Sequence, residues 1–155
     1  MLIRTSYFYH IRHFLPNMIP VSTCISDPAY YHDGKGKNHI YYDKRGIING
    51  IRFEYMIVQQ NVMNSRCPCL EEDPVICPFL KEYKKELDKL DFNYIMERLN
   101  WLAEYRKSID KFEGEPIIVL MVYEAYYNPC SERKPIQQLF QEHGIECKEL
   151  TYPIN

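Results

Sequence analysis

Residues 116–123, with the sequence PIIVLMVY, form a continuous apolar run of strand length. A strand with one face in water alternates apolar and polar residues, whereas a strand covered on both faces is apolar throughout. The run therefore predicts a buried strand of a parallel sheet, with other elements packed on both faces. This requirement favours an α/β architecture for the whole chain.

The rest of the chain contains the elements that such a sheet needs. Segments rich in β-branched residues predict further strands, and segments with apolar residues at helical spacing predict helices. The predicted strands are residues 2–7, 18–26, 116–123 and 145–150, and the predicted helices are residues 8–15, 79–90, 92–109 and 132–143. Asn49-Gly50 is typical of a hairpin turn within residues 47–53. We therefore expect residues 1–155 to form a single small α/β domain, Rossmann-like, with a mostly parallel sheet flanked by helices.

Composition narrows the class of protein. The chain has 155 residues, 26% of them charged, and a formal net charge of −2, which does not support general attraction to nucleic acid or membranes. Basic residues interrupt every apolar run within residues 1–20, so this segment predicts neither a signal peptide nor a membrane span. We expect a cytoplasmic protein whose six cysteines are reduced.

The apolar strand ends at Tyr123 and Glu124, and Cys130 and Arg133 follow where a helix begins. Ligands of α/β proteins bind at the carboxyl ends of strands, and the amino end of a helix attracts anions. That field favours a thiolate at Cys130, Arg133 can hold a phosphate with two hydrogen bonds, and Glu124 is a candidate general base. Glu124, Cys130 and Arg133 are therefore candidate catalytic residues, with Tyr123 and Arg133 as candidate ligand-binding residues. The alternative is a plain turn in which Arg133 pairs with Glu124 or Glu132.

Four longer segments carry a further pattern. They are RTSYF at 4–8, MIPVSTCISDPAYYH at 18–32, CPFLKEYKKELDKLDFNYIMERL at 77–99, and IIVLMVYEAYYNPCSERKPIQQLFQEHGIECKEL at 117–150. These segments resemble the uncharacterised family called domain of unknown function 488, which has members in bacteria, archaea and phages. Members of that family resemble one another in a Thr-x-x-Tyr-type strand end, a Leu-Asp helix pair, and a strand ending in Tyr-Glu that is followed by Cys-His-Arg.

The resemblance implies a site made from two strand ends. Its motif matches Glu124, Cys130 and Arg133, and it implies that the opposing strand end contributes the ligand-binding residues Thr5, Ser6 and Tyr7. The chain departs from the family at residues 130–133, where Cys-Ser-Glu-Arg lacks the histidine and places the arginine one position later. The family has no agreed activity, so the resemblance implies a fold and a site rather than a reaction.

Residues 60–78 have no periodicity and contain Cys67, Cys69 and Cys77. Three thiolates on one loop predict a zinc site when a fourth ligand comes from elsewhere. Candidates for that fourth ligand are Cys24, Cys130, His32 and His39. An iron–sulfur cluster on four thiolates, and a turn in which the cysteines only pack, are the alternatives.

The sequence thus predicts a protein that binds an anionic, nucleotide-like small molecule at the carboxyl edge of the sheet. A reaction there would be transfer or hydrolysis on a nucleotide or nucleobase, with Glu124 as base or nucleophile. Two alternatives stay open: the tyrosine-rich residues 27–55 contact a protein or nucleic acid without catalysis, or the cysteines form a metal or redox module. His10 and His13 are predicted to lie on the surface.

Overall fold

The structure, a computed structural model, describes residues 1–28, 31, 51–59, 62, 73, 75–125, 127–128 and 130–151. Among these residues, five strands form one sheet: β1 (Leu2–Tyr7), β2 (Met18–Ser22), β3 (Ile51–Arg52), β4 (Ile117–Val122) and β5 (Cys147–Glu149). Their order is β3-β2-β4-β1-β5, and every pair is parallel. The predicted α/β fold with a parallel sheet is confirmed.

β4 lies in the middle of this sheet, between β1 and β2. Every side chain from Ile118 to Val122 is buried. Because successive side chains of a strand point to opposite faces, both faces of β4 are covered. The predicted burial of this apolar run is therefore confirmed.

Three α-helices are described: α1 (Pro78–Asp88), α2 (Phe92–Asp110) and α3 (Arg133–Glu142). Pro78 suits the first position of α1, where its missing N–H has no partner to lose. Asp91 caps α2, since its carboxylate accepts a hydrogen bond from the Tyr94 N–H at 3.2 Å. Gly144, with φ of +76°, follows α3 as its terminator. α1 packs on α3, α3 packs on β1 and β5, and α2 packs on β4.

The structure differs from the sequence predictions at two places, and a third prediction lies outside the described residues. The predicted helix 8–15 is a 3₁₀ helix, Phe8–His13, and the predicted strand 18–26 ends at Ser22. The Asn49-Gly50 turn lies outside the described residues, and the two residues that follow it pair in parallel with β2.

Candidate functional site

Three parallel strands bring polar side chains to the carboxyl edge of the sheet. β1 lies between β4 and β5, and the register places Thr5 beside Glu149 and Tyr7 beside Val122. The chain leaves β4, enters α3 at Arg133 and returns through β5. The ends of β1 and β5 and the beginning of α3 therefore meet.

The Arg133 side chain is buried and bound on all three guanidinium nitrogens. Nε donates to Glu149 Oε2 at 2.9 Å, Nη1 to the carbonyl oxygen of Ala125 at 2.6 Å, and Nη2 to the carbonyl oxygen of Glu124 at 2.5 Å. A buried charge is costly unless it is paired and hydrogen-bonded, and these three acceptors meet that requirement. Arg133 therefore ties the turn after β4 to the end of β5.

Thr5 and Gln137 extend this network. Thr5 Oγ1 donates to Glu149 Oε2 at 2.7 Å, and Gln137 Nε2 donates to Thr5 Oγ1 at 2.7 Å. One carboxylate oxygen of Glu149 thus accepts from both Thr5 and Arg133. Because Thr5 is fully buried, its hydroxyl holds Glu149 in place instead of meeting a ligand directly.

A cleft of about 590 Å³ opens beside this network. Its described lining residues are His10, Arg133, Lys134, Gln137, Glu149, Leu150 and Thr151. Pockets of roughly 300–1,000 Å³ suit small-molecule ligands. Arg133 and Lys134 carry one positive charge each and Glu149 one negative charge, so with neutral His10 the lining has a formal charge of +1. The cleft therefore favours an anion.

His10 lines this cleft, whereas the sequence predicts that it lies on the surface. Its Nδ1 is 3.2 Å from Ser6 Oγ, and its ring packs on that of Tyr7 with the centroids 4.6 Å apart. Burial lowers the pKa of His10 below its ordinary value, and three nearby groups lower it further, namely His13, Arg12 and Arg133. A neutral imidazole offers the cleft one N–H donor or one nitrogen acceptor.

Glu149 is the carboxylate of the cleft. Burial raises its pKa above the ordinary value, although the charges of Arg133 and Lys134 and the hydrogen bonds from Thr5 and Arg133 oppose this shift. Its Oε1 atom is buried and has no hydrogen-bond partner among the described residues. A carboxyl group in such surroundings takes up a proton more readily than an exposed one, which suits a general acid or base.

The first amides of α3 have partners within the chain. The Arg133 N–H lies 3.4 Å from Ser131 Oγ, and the Lys134 N–H donates to the Ser131 carbonyl oxygen at 3.3 Å. Pro135 has no N–H to offer. These amides therefore do not form an open anion site, and the positive charge at the cleft comes from side chains.

The other described residues predicted for this edge are not among the lining residues of the cleft. Glu124 Oε2 lies 3.4 Å from the donating Ser131 Oγ, and Tyr123 is exposed, with its ring in a T-shaped contact with that of Phe8. Ser6 and Tyr7 contact His10. Of the predicted site residues, Arg133 lines the described cleft, whereas Thr5, Ser6 and Tyr7 contact side chains that line it.

Cys130 is buried and lies against another cysteine. Its Sγ atom is 3.7 Å from Sγ of Cys77, one of the three predicted zinc ligands. Cys67 and Cys69 lie outside the described residues, as do two of the fourth-ligand candidates, His32 and His39. Within the described ranges, no three His, Cys, Asp or Glu side chains are grouped so that they hold a metal ion.

Most of the tyrosine-rich residues 27–55 also lie outside the described part of the chain. Its two described tyrosines form hydrogen bonds to the backbone. The buried Tyr31 donates its hydroxyl to the Ile51 carbonyl oxygen at 2.7 Å, and the Tyr55 hydroxyl accepts from the Asp91 N–H at 2.8 Å.

Of the seven described lining residues, sequence reasoning named only Arg133 as a site residue, and the residues it missed include His10, Gln137 and Glu149. Two of them had a usable signal. Gln137 lies four residues after Arg133 and therefore shares its helix face. Glu149 ends a predicted strand, where α/β proteins place ligand-binding groups.

No helix among the described residues is long and apolar enough to cross a membrane.

Comparisons with known proteins assign neither a family nor a function to the chain. No family model, curated protein or solved structure matches the chain.

Proposed function

We propose that the cleft at the carboxyl edge of the sheet binds a small, nucleotide-like anion. The observation that carries this proposal is the lining, which combines a formal charge of +1 with uncharged hydrogen-bonding groups at about 590 Å³. Parallel sheets bind ligands at this edge, and the volume suits a small organic molecule.

The lining residues have separate tasks in this proposal. Lys134 supplies a positive charge for the phosphate or carboxylate of the ligand. Gln137 and His10 supply hydrogen bonds, and Leu150 supplies apolar contact for the less polar end. Arg133 is a positioning residue, since its three nitrogens are already bound and its effect passes through Glu149.

An enzymatic reaction, transfer or hydrolysis on a nucleotide or nucleobase, is the second step of the proposal. Glu149 replaces Glu124 as the assigned acid or base, because Glu149 lines the cleft and burial raises its pKa. The resemblance to domain of unknown function 488 brings no activity, so the support comes from the cleft.

Calorimetric titration with nucleoside monophosphates and with inorganic phosphate tests the binding step. Lys134→Ala should weaken binding about 10- to 100-fold, the value of a charge-assisted hydrogen bond. The matched control is Lys148→Ala, because Lys148 is exposed on β5 and pairs with Glu146 at 3.2 Å. Binding equal to wild type in Lys134→Ala, or no binding of any probe, contradicts the proposal.

Product analysis on the tightest-binding nucleotide tests the reaction step. Glu149→Gln should abolish turnover while binding persists, and Glu124→Gln should retain turnover. If Glu149→Gln keeps turnover and Glu124→Gln loses it, Glu124 is the acid or base instead.

A further inference from the structure

The hydrogen-bond network beside the cleft fixes the orientation of one side-chain amide, that of Gln137. Gln137 Nε2 donates to Thr5 Oγ1 at 2.7 Å, and Thr5 Oγ1 donates to Glu149 Oε2 at 2.7 Å. A threonine hydroxyl has one proton, and an ionised carboxylate only accepts hydrogen bonds. Because the proton of Thr5 is used on Glu149, Thr5 offers Gln137 an acceptor and no donor. The NH₂ group of Gln137 therefore faces Thr5.

Arg133 sets the direction of these hydrogen bonds. Its Nε atom donates to the same Glu149 oxygen, Oε2, at 2.9 Å, and the Arg133 side chain is 2% exposed. A buried guanidinium needs its countercharge, so the pair keeps Glu149 as a carboxylate in the resting protein. A carboxylate has no proton to give to Thr5. The sequence of donors from Gln137 to Thr5 to Glu149 therefore does not reverse.

The other end of the Gln137 amide is its carbonyl oxygen, Oε1. Nε2 and Oε1 occupy opposite corners of one planar group, so Oε1 points away from Thr5 when Nε2 faces it. Within the described ranges, the bond to Thr5 is the only hydrogen bond of the Gln137 side chain. Gln137 also lines the cleft. Its carbonyl oxygen is consequently the atom that it offers to a ligand, as an acceptor.

The cleft thus has two chemically different parts. Lys134 provides a positive charge, and it lies three residues before Gln137 on α3, which makes the two side chains neighbours on the helix surface. Gln137 and Glu149 together form a wall that accepts hydrogen bonds. A ligand that suits both parts is an anion that also carries an N–H or O–H group.

We propose that Gln137 is a specificity-determining residue, which selects anions that carry a hydrogen-bond donor over those with a carbonyl oxygen in the same place. The inference rests on the proposed binding of a nucleotide-like anion. In a nucleotide, the donor is the exocyclic amino group of the base or a hydroxyl of the ribose. A ligand carbonyl oxygen at this place would face Gln137 Oε1, and both acceptors would lack a donor.

Calorimetric titration of wild type with matched nucleotides is the first test, and it needs no variant. Adenosine and inosine monophosphate differ by an amino group against a carbonyl oxygen on the base, and 2′-deoxy- and 3′-deoxyadenosine monophosphate each lack one ribose hydroxyl. Loss of the donor that Gln137 binds should weaken binding about 10-fold or more, and the nucleotide that shows this loss identifies the donor. Equal affinity for all four, or tighter binding of inosine monophosphate, overturns this inference alone. No binding of any of them contradicts the proposed function as well.

A variant then assigns the discrimination to Gln137. Gln137→Met removes the amide at similar length, and the affinity difference seen in wild type should fall below about 2-fold. The control is Gln141→Met, because Gln141 lies one turn later on α3, outside the cleft lining, and donates to the Cys147 carbonyl oxygen at 3.1 Å. This control should keep the full difference. Discrimination that persists in Gln137→Met, or that is lost equally in Gln141→Met, overturns the proposal.

Discussion

The Arg133 guanidinium and the Glu149 carboxylate form an ion pair inside the protein, with Nε 2.9 Å from Oε2 and side chains only 2% and 18% exposed. The pair connects the start of α3 to the end of β5 and forms one wall of the cleft. Its two members are 16 residues apart in the chain, and the rest of α3 lies between them.

Breaking this pair from the arginine side should be costly. Arg133→Met leaves Glu149 buried without its countercharge, and we expect a loss of roughly 3–5 kcal/mol in the free energy of unfolding. Glu149→Gln should also destabilise, but the double variant should lose less than the sum of the two single losses. Urea unfolding of all four proteins measures the coupling. Strictly additive losses would show that the ion pair contributes nothing.

Tyr83 offers a cleaner test of a buried hydrogen bond. Its hydroxyl donates to the Met56 carbonyl oxygen at 2.6 Å, and the side chain is buried. Tyr83→Phe leaves that carbonyl without its donor, so we expect a loss of about 1–2 kcal/mol in unfolding free energy. Tyr55→Phe is the control, because Tyr55 is exposed and water can replace its hydroxyl as the acceptor for the Asp91 N–H. This variant should lose less than about 0.5 kcal/mol. Equal losses in thermal or urea unfolding would contradict this account.

His10 should make stability depend on pH. Burial lowers its pKa in the folded protein below the ordinary 6.5, and His13, Arg12 and Arg133 contribute to the shift. As the pH falls below about 6.5, His10 binds a proton in the unfolded chain before it does so in the folded protein. The free energy of unfolding therefore decreases until the pH reaches the folded-state pKa of His10. His10→Gln lacks this contribution. Its free energy of unfolding relative to wild type should therefore increase as the pH is lowered from about 7.5 to about 5.5. A pH-independent difference in urea unfolding would rule out this role.

Lys111 is a position where a substitution should stabilise the protein. It has φ of +54° at the end of α2, a left-handed conformation that costs an L-residue energy. Lys111→Gly removes this cost, although glycine adds freedom to the unfolded chain, and the net gain should be about 0.5–1 kcal/mol. Glu113→Gly, two residues later and also exposed, should destabilise slightly. A lower melting temperature for Lys111→Gly than for wild type would contradict this expectation.

Much of the fold follows from local patterns in the sequence. The apolar run at 116–123 predicts the buried strand β4, and the apolar stripe of 79–90 predicts α1, because these patterns depend only on neighbouring residues. The order of the strands in the sheet, in contrast, does not follow from local patterns. Nothing in the chain near β1 indicates that its partners are β4 and β5, since those pairings join distant residues.

The cleft depends on such distant pairings, and sequence reasoning therefore found it only in part. The register that places Thr5 beside Glu149 spans 144 residues. The sequence predicted that His10 lies on the surface of an α-helix, but the segment is a 3₁₀ helix with three residues per turn. Phe8, His10 and Ile11 are all buried in this tighter helix, and His10 contacts Ser6.

The central position of β4 affects how the chain folds during synthesis. β1 and β2 both lie within residues 1–22, yet they are not neighbours in the sheet; each pairs with β4, which begins at Ile117. As the chain leaves the ribosome, the edges of β1 and β2 that pair with β4 therefore stay unpaired while residues 23–116 are made. A chain cut short before Ile117 would keep those edges open to other chains. Premature termination should consequently yield an aggregating fragment instead of a smaller stable domain.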